Sequence, residues 1–343
     1  MRILVTGGTG YVGSHTVAAL CRAGHDVRLL ARDKAAVPAA LDPLGVTVSD
    51  VVFGDVTDPT SVASAVDSCD AVVHAASIYS LSPRDWARIR HTNVRGTEVV
   101  LAAAVAAGAD PIVHVSSTSA IMPAQPGGLI NADNPPTVGA PGAYIASKAG
   151  SEAVARRYQD AGAPVVTTYP GGVFGPHDPH LGEGTHRLSV ELRGLMPVMP
   201  NGGTHYCDVR DVAALHARVL EPGLEPRRYV VPGHYRSGAD EIRTLARLTG
   251  RRLPCVAVPA GPLMASLAPL DAVLRFTRRQ YPGTREGAWF LSRSAHADSS
   301  AADALGIVAR PYDESIADTV RWLLASGHIS ARQAGRLDGR PVG

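Results

Sequence analysis

A short apolar strand, Ile3-Leu4-Val5, runs into Thr6-Gly7-Gly8-Thr9-Gly10-Tyr11-Val12-Gly13 and then into a helical stretch, Ser14 to Arg22. No other feature limits the fold as tightly. Glycines between a strand and a helix permit a sharp turn and let a phosphate approach backbone N–H groups at the positive helix end. That context is what a dinucleotide fingerprint requires. The spacing is Gly-x-x-Gly-x-x-Gly, with Gly8 as an additional glycine, and so departs from Gly-x-Gly-x-x-Gly. Gly7, Thr9, Gly10, Tyr11 and Val12 are the loop residues expected at a cofactor.

The rest of the chain repeats the alternation. Gly24 stops the first helix, and Asp26 to Ala31 and Val51 to Phe53 read as the second and third strands. Ala71 to Ala75 and Ile112 to Ser116 supply the fourth and fifth. Helices are expected over Ser61 to Val66, after Asp58-Pro59, and over Asp85 to Ala107. Short continuous apolar strands spaced by helices predict a parallel sheet covered on both faces. Right-handed crossovers then make it an α/β, doubly wound (Rossmann) fold. A helix over Tyr144 to Ala161 and a sixth strand, Val165 to Tyr169, continue the pattern.

Beyond Pro170 the composition shifts. Gly171 to Pro179, Gly182 to Gly184 and Pro197 to Gly203 are rich in glycine and proline and read as long loops. Asp208 to Leu220 is helical again, and Tyr229 to Val231 returns to the sheet. Helical segments follow near 240–249, 261–278 and 313–326. We expect a dinucleotide-binding domain over 1–174 and 208–232. A smaller, discontinuous, mainly helical substrate domain covers 175–207 and 233–331, and a frayed polar tail covers 332–343.

Composition closes off several function classes. With 45% hydrophobic and 19% charged residues and a net charge of +2 spread along the chain, this is a soluble globular protein without a nucleic-acid or anionic-membrane stripe. Cysteines 21, 69, 207 and 255 form no Cys-x-x-Cys, which fits a reducing cytoplasm and argues against zinc. The first strand starts too early to leave room for a signal peptide, and the apolar runs are too short or broken to span a bilayer. His177, His180, His186 and His205 stand at spacings of three, six and nineteen residues, which match no metal motif; no metal is expected.

Chemistry enters at Ala143-Tyr144-Ile145-Ala146-Ser147-Lys148. A Tyr and a Lys four apart share one helix face. A free phenol, with a pKa of ~10, is a poor base at neutral pH, and a nearby cation favours its phenolate. Tyr-x-x-x-Lys alone is common on ordinary helices; downstream of a nucleotide loop it predicts a proton-transfer site.

The dinucleotide type turns on the end of the second strand. NAD enzymes place an acid there, roughly 20 residues beyond the glycines. Here Ala31 is followed by Arg32, with Lys34 close by. A guanidinium binds a 2′-phosphate in bidentate fashion, so Arg32 is the main expected ligand and Lys34 a weaker one. The expected cofactor is NADP(H), while Asp33 keeps NAD(H) open. Asp55 and Val56 are placed at the adenine edge, although Asp55 also reads as a turn or helix cap. Ala75, Ala76 and Ser77 are small enough for a cofactor to pass close to the chain.

These motifs, with Asn93-Val94-Arg95-Gly96-Thr97, Val115-Ser116-Ser117-Thr118, Pro170-Gly171-Gly172-Val173-Phe174-Gly175-Pro176 and Asp208-Val209-Arg210-Asp211-Val212-Ala213, resemble the extended short-chain dehydrogenase/reductase family. The resemblance runs in order over residues 1–230; beyond it only a helix ending Thr319-Val320-Arg321-Trp322-Leu323 stands out. It implies a Ser/Thr–Tyr–Lys site. Tyr144 is then the acid/base, Lys148 lowers its pKa and holds the nicotinamide ribose, and Thr118 is the hydroxyl partner, with Ser117 as the rival. Asn93 becomes a structural residue near the site, and Ser116, Pro170, Gly172 and Val173 join the cofactor contacts. The resemblance also implies a homodimer packed through the helices of 85–107 and 142–161.

The nearest branch in look is that of dihydroflavonol reductases and 3β-hydroxysteroid dehydrogenases. That implies an NADP(H)-dependent oxidoreductase acting on a small, apolar carbonyl or alcohol. The alternatives are a nucleotide-sugar epimerase or dehydratase with tightly held NAD, and an NADP-binding regulator without turnover. Arg32 favours the first, as does Gly172, where many sugar-nucleotide enzymes of the family carry Asn. The apolar segment 260–276 either lines a hydrophobic pocket or packs on the core or a dimer face. Phe174 or Tyr206 is expected to touch the substrate.

Overall fold

The computed structural model describes residues 1–225, 227–274 and 283–339. Strand β1 (Arg2–Thr6) turns through the glycines into helix α1, which spans Tyr11–Arg22 and so begins at Tyr11 rather than Ser14. Gly24, with φ +81°, stops it, as expected. Then come β2 (Asp26–Ala31), α2 (Ala36–Leu41), β3 (Val51–Phe53), α3 (Pro59–Val66) and β4 (Ala71–His74). Asp58 starts α3 by accepting the N–H groups of Thr60 and Ser61, and Pro59 at the first position loses no bond.

The continuous helix expected over Asp85 to Ala107 is broken into α4 (Trp86–Arg90), a π-turn (His91–Arg95) and α5 (Gly96–Ala106). Apolar periodicity does not register such a wide turn, which commonly accompanies a functional contact. Asn93, inside it, reaches across to the segment following β4. After β5 (Ile112–Val115) and β6 (Leu129–Ile130) come α6 (Ala143–Asp160), β7 (Val165–Tyr169) and β8 (Gly172–Phe174). The chain continues through α7 (Glu183–Leu192), β9 (Val198–Pro200), β10 (Gly203–Asp208), α8 (Val209–Arg218) and β11 (Arg228–Val230).

Seven strands form one parallel sheet in the order β11-β7-β5-β4-β1-β2-β3. Alternate residues serve opposite faces. Ile3, Val5, Leu29 and Val113 pack with Val17 and Leu20 of α1 and Val212 and Leu215 of α8. Leu4, Leu30, Val72 and Ile112 pack on the other side with Val62 of α3, Leu101 of α5 and Val154 of α6. The strand order reverses between β1 and β4, which opens a crevice at their carboxyl ends. The glycine loop sits there.

The remainder consists of β12 (His234–Ser237), α9 (Gly238–Thr249), β13 (Val256–Val258), α10 (Ala260–Leu274), α11 (Arg285–Ser292), β14 (His296–Ala297), α12 (Ser300–Asp303), α13 (Tyr312–Ala325) and α14 (Ala331–Ala334). It shares a second core with α7: Phe174, Leu188, Tyr206, Ile242, Tyr312 and Ile316 enclose one another. Helix α7 falls largely between the stretches read as loop, in residues given no assignment, since its apolar Leu188 and Leu192 find their partners only in this tertiary core. The strand trio β12-β10-β8 was likewise not expected. The tail differs as well. A capping box between Ser330 and Gln333 starts α14, Ala334 is buried, and Leu337 packs on the second core. Residues 340–343, and the part of the 261–278 helix beyond Leu274, lie outside the described residues. Among the described residues no helix is long and apolar enough to cross a membrane.

Candidate active site

The glycine loop is built by chain packing on chain. A Cβ on Gly7, whose φ is +75°, would lie 2.5 Å from the N of Ala76, and one on Gly13 would lie 2.0 Å from the carbonyl oxygen of Gly7. The first glycine therefore lets the loop press against the end of β4, and the third lets α1 press against the loop. Gly10 caps α1 without a side chain, and no acid stands in the first turn. The leading N–H groups of the helix thus have no intrahelical acceptor and no protein carboxylate competing for them, which suits an anion. Thr9, Gly10, Tyr11 and Val12 are half-buried along this face. The Tyr11 hydroxyl donates to the carbonyl of Gly175 at 2.7 Å, tying the loop to the Pro170–Pro176 motif.

Arg32, Asp33 and Lys34 are exposed just past β2. One oxygen of the Asp33 carboxylate accepts the N–H of Ala35 at 2.9 Å, which closes its own turn. Burial pushes the Asp55 carboxyl up. The N–H and hydroxyl of Thr57 and the charge of Arg32 outweigh that, holding it below its ordinary value. Asp55 is therefore a turn cap that also faces Arg32, and Val56 beside it is buried. Ala75 and Ala76 are half-buried and Ser77 is exposed, with the Ala75 N–H bonded to the Thr6 carbonyl at 3.1 Å. Asn93 holds this segment in place: its amide oxygen accepts the N–H of Ile78 at 2.7 Å, and its Nδ2 donates to Ile78 O and to Ser147 Oγ.

Tyr144 and Lys148 lie one turn apart on α6, with Tyr144 half-buried and Lys148 buried. Two expectations fail here. The hydroxyl beside the phenol belongs to Ser117, with Ser119 next to it; these two side chains favour the phenolate of Tyr144. Ser119 Oγ donates to Ser117 Oγ at 3.0 Å. Thr118 is wholly enclosed and its hydroxyl has no partner. Beyond β5 the chain enters a 3-10 turn over Thr118–Ile121, with Ser117 as its N-cap accepting the Ser119 N–H and Thr118 turned into the interior.

The second failure concerns proton affinity. The Tyr144 phenol is pushed up, not down, because burial exceeds the help from Ser117 and Ser119, and the charge of Glu286 adds to the rise. Lys148 donates instead to the Val115 carbonyl at 3.1 Å, and its own burial lowers its pKa to about 8 against the pull of Glu152.

Ser116 is also diverted. Its hydroxyl donates to the fully buried Glu152 at 2.9 Å, alongside Tyr169 OH at 2.7 Å and Arg156 Nε at 2.7 Å. The Pro170 carbonyl accepts the Thr118 N–H at 2.9 Å, Val173 pairs with Cys207, and a Cβ on Gly172 would meet the Tyr206 ring at 2.5 Å. Phe174 and Tyr206 do not face a substrate. They stack at 5.2 Å inside the second core, with the Arg187 guanidinium over both rings. His205 is buried against the Val231 carbonyl, while His177 lies near His15 with ring centres 6.5 Å apart.

Three residues near Tyr144 carried no signal in the sequence. Tyr79, half exposed, lies with its ring centre 4.5 Å from that of Tyr144. Ser119 and Glu286 are the others. Helix α10, largely exposed along its described length, packs beside α11 and the Pro83–Asp85 turn that follows Tyr79. A cavity of about 410 Å³ lined by Gln159 and Arg228 lies at the β11 edge of the sheet, away from the phenol, and shares none of these residues.

Known proteins match this chain in sequence and in fold. The profile described as the NAD dependent epimerase/dehydratase family matches residues 3–231. The chain is 30% identical over 334 residues to the sterol demethylase protein B of Methylococcus capsulatus, covering 96% of this chain and 100% of that one. It is 30% identical over 335 residues to a putative dihydroflavonol 4-reductase of Synechocystis, covering 96% of each. The crystal structure of gox2253 superimposes with a TM-score of 0.79 at 26% identity, covering 96% of this chain and 99% of that one.

Proposed function

Because this chain belongs to the NAD dependent epimerase/dehydratase family and is an oxidoreductase, we propose that it interconverts a carbonyl and an alcohol on a small, apolar substrate with NADP(H) and Tyr144 as proton donor. The observation that carries this reading is the Tyr144 phenol beside the Ser117 hydroxyl, one turn from a buried lysine. The residues present fit the cofactor. The uncapped start of α1 would hold the pyrophosphate and Arg32, with Lys34, the 2′-phosphate. When bound, the nicotinamide exchanges hydride at C4.

The protein's own groups handle the proton. A raised pKa keeps Tyr144 neutral near pH 7, so it acts as the acid toward a carbonyl oxygen. Ser117 donates to the same oxygen, a bond that strengthens as charge gathers there and so lowers the barrier. Lys148 uses one of its three N–H donors on Val115 and keeps two for ribose hydroxyls. The exposed Tyr79 ring and the neighbouring apolar α10 favour a substrate of low polarity. Two relatives carry names that refer to a sterol and to a dihydroflavonol, in line with that class.

The test is NADPH consumption with a panel of apolar ketones and aldehydes, run beside nucleotide sugars. Turnover of the carbonyls alone is expected. Redox-neutral conversion of a nucleotide sugar with no carbonyl reduction would replace this reading with epimerisation.

A further inference from the structure

Helix α6, which carries Tyr144, begins with an N-cap that has no side chain, Gly142, and its first turn contains no acid. An eighteen-residue helix so started leaves its leading N–H groups in need of an acceptor. The acceptor comes from 141 residues further on. Glu286, in the first turn of α11, accepts the N–H of Ile145 through Oε1 at 2.8 Å. Its other oxygen fills the space above Gly142, where a Cβ would lie 1.9 Å from Oε2. Glu286 is 4% exposed, and its own helix is fixed by Thr284, whose hydroxyl accepts the Gly287 N–H at 3.1 Å.

We infer that Glu286 is a positioning residue for Tyr144: it caps the helix that carries the phenol from outside that helix and places a carboxylate beside the reacting group. This rests on the function proposed above. A carboxylate at a helix N-terminus is favoured by the helix dipole and by charge-assisted bonding. Glycine at 142 leaves room for it, since a Cβ there would overlap the carboxylate and displace it.

Glu286 also sets when the phenol gives up its proton. Its negative charge disfavours phenolate and adds to the effect of burial. The other groups around the phenol are Ser117 and Ser119 from the segment after β5, Tyr79 from the loop after β4, and Lys148 on its own helix. Glu183 and Arg187 of α7 act on Tyr79. Of these, Glu286 is the one carboxylate acting directly on Tyr144. It keeps the phenol in its acid form over a wider pH range and so favours reduction.

Two substitutions separate the mechanical from the electrical part. Glu286→Gln keeps an oxygen for the Ile145 N–H and removes the charge; Glu286→Ala removes both. In hydrogen exchange on the protein without ligands, the Ile145 amide should exchange roughly 10-fold faster in Glu286→Ala and close to the wild-type rate in Glu286→Gln. In steady-state reduction, Glu286→Gln should move to lower pH the fall of kcat that lies above the Lys148 transition, with KM for NADPH within about 2-fold. Gly142→Ala, which pushes the carboxylate out, should reproduce Glu286→Ala. Unchanged Ile145 exchange in Glu286→Ala, or superimposable pH profiles for wild type and Glu286→Gln, overturns the inference. Failure of the functional reading appears separately, as undiminished turnover in Tyr144→Phe; the amide exchange still tests Glu286 in that event.

Discussion

Replacing Arg32 by alanine should weaken NADPH binding and leave NADH binding nearly untouched. Arg32 stands exposed immediately after β2, where the ribose end of a dinucleotide lying on the α1 loop falls. Its charge already acts on Asp55. A hydrogen bond to a charged group contributes about 1.5–3 kcal/mol, and a guanidinium can make two to one phosphate. Full exposure to water and salt takes the sum toward the lower figure. The expected loss for NADPH is therefore roughly 10-fold in Kd, against less than about 2-fold for NADH. Fluorescence or calorimetric titration of both cofactors, at low and at physiological salt, measures it. The NADPH penalty should shrink as salt rises. An equal loss for both cofactors would mean that Arg32 acts through the loop rather than on the phosphate. No loss for NADPH would remove the phosphate role entirely.

Other substitutions report on the rest of the site. Ser117→Ala should lower kcat about 100-fold, whereas Thr118→Val should keep activity within about 2-fold and leave the Tm equal or higher, because the lost hydroxyl has no partner. Lys148 titrates at about 8 when folded against an ordinary 10.5, so the unfolded chain binds the extra proton between those values and wild-type stability should rise from pH 8 to 10.5. Lys148→Met should abolish that rise in denaturant titrations and be more stable at pH 7 by up to about 3 kcal/mol, while losing activity. Glu152→Gln removes the charge shared by Ser116, Tyr169 and Arg156 and should cost about 3 kcal/mol in unfolding free energy with cofactor Kd within about 2-fold.

What could be read from the chain alone was whatever local pattern determines. Strands β2 and β7 stand where short apolar runs are bounded by turn residues, and the α1 loop declares itself through glycine between strand and helix. Helix α7 did not, because its apolar residues face a core assembled from α9 and α13, far along the chain. The choice between Ser117 and Thr118 depended on the 3-10 turn that starts after β5, which makes Ser117 its cap and turns Thr118 inward, and the Ser-Ser-Thr run does not encode where that turn begins. The proton affinity of Tyr144 depended on how deeply the phenol is buried and on Glu286, neither of which the Tyr-x-x-x-Lys spacing encodes. Phe174 and Tyr206 sit in motifs near the site, yet their rings turn into the second core.

The most direct test of the account compares wild type with Tyr144→Phe on whichever carbonyl the wild-type protein reduces fastest with NADPH. Phenylalanine keeps the ring and removes only the transferable proton. A fall in kcat of roughly 10²–10⁴-fold, with NADPH Kd within about 2-fold, is the predicted result. Equal rates in the two proteins would contradict it and leave the phenol without a role in the reaction.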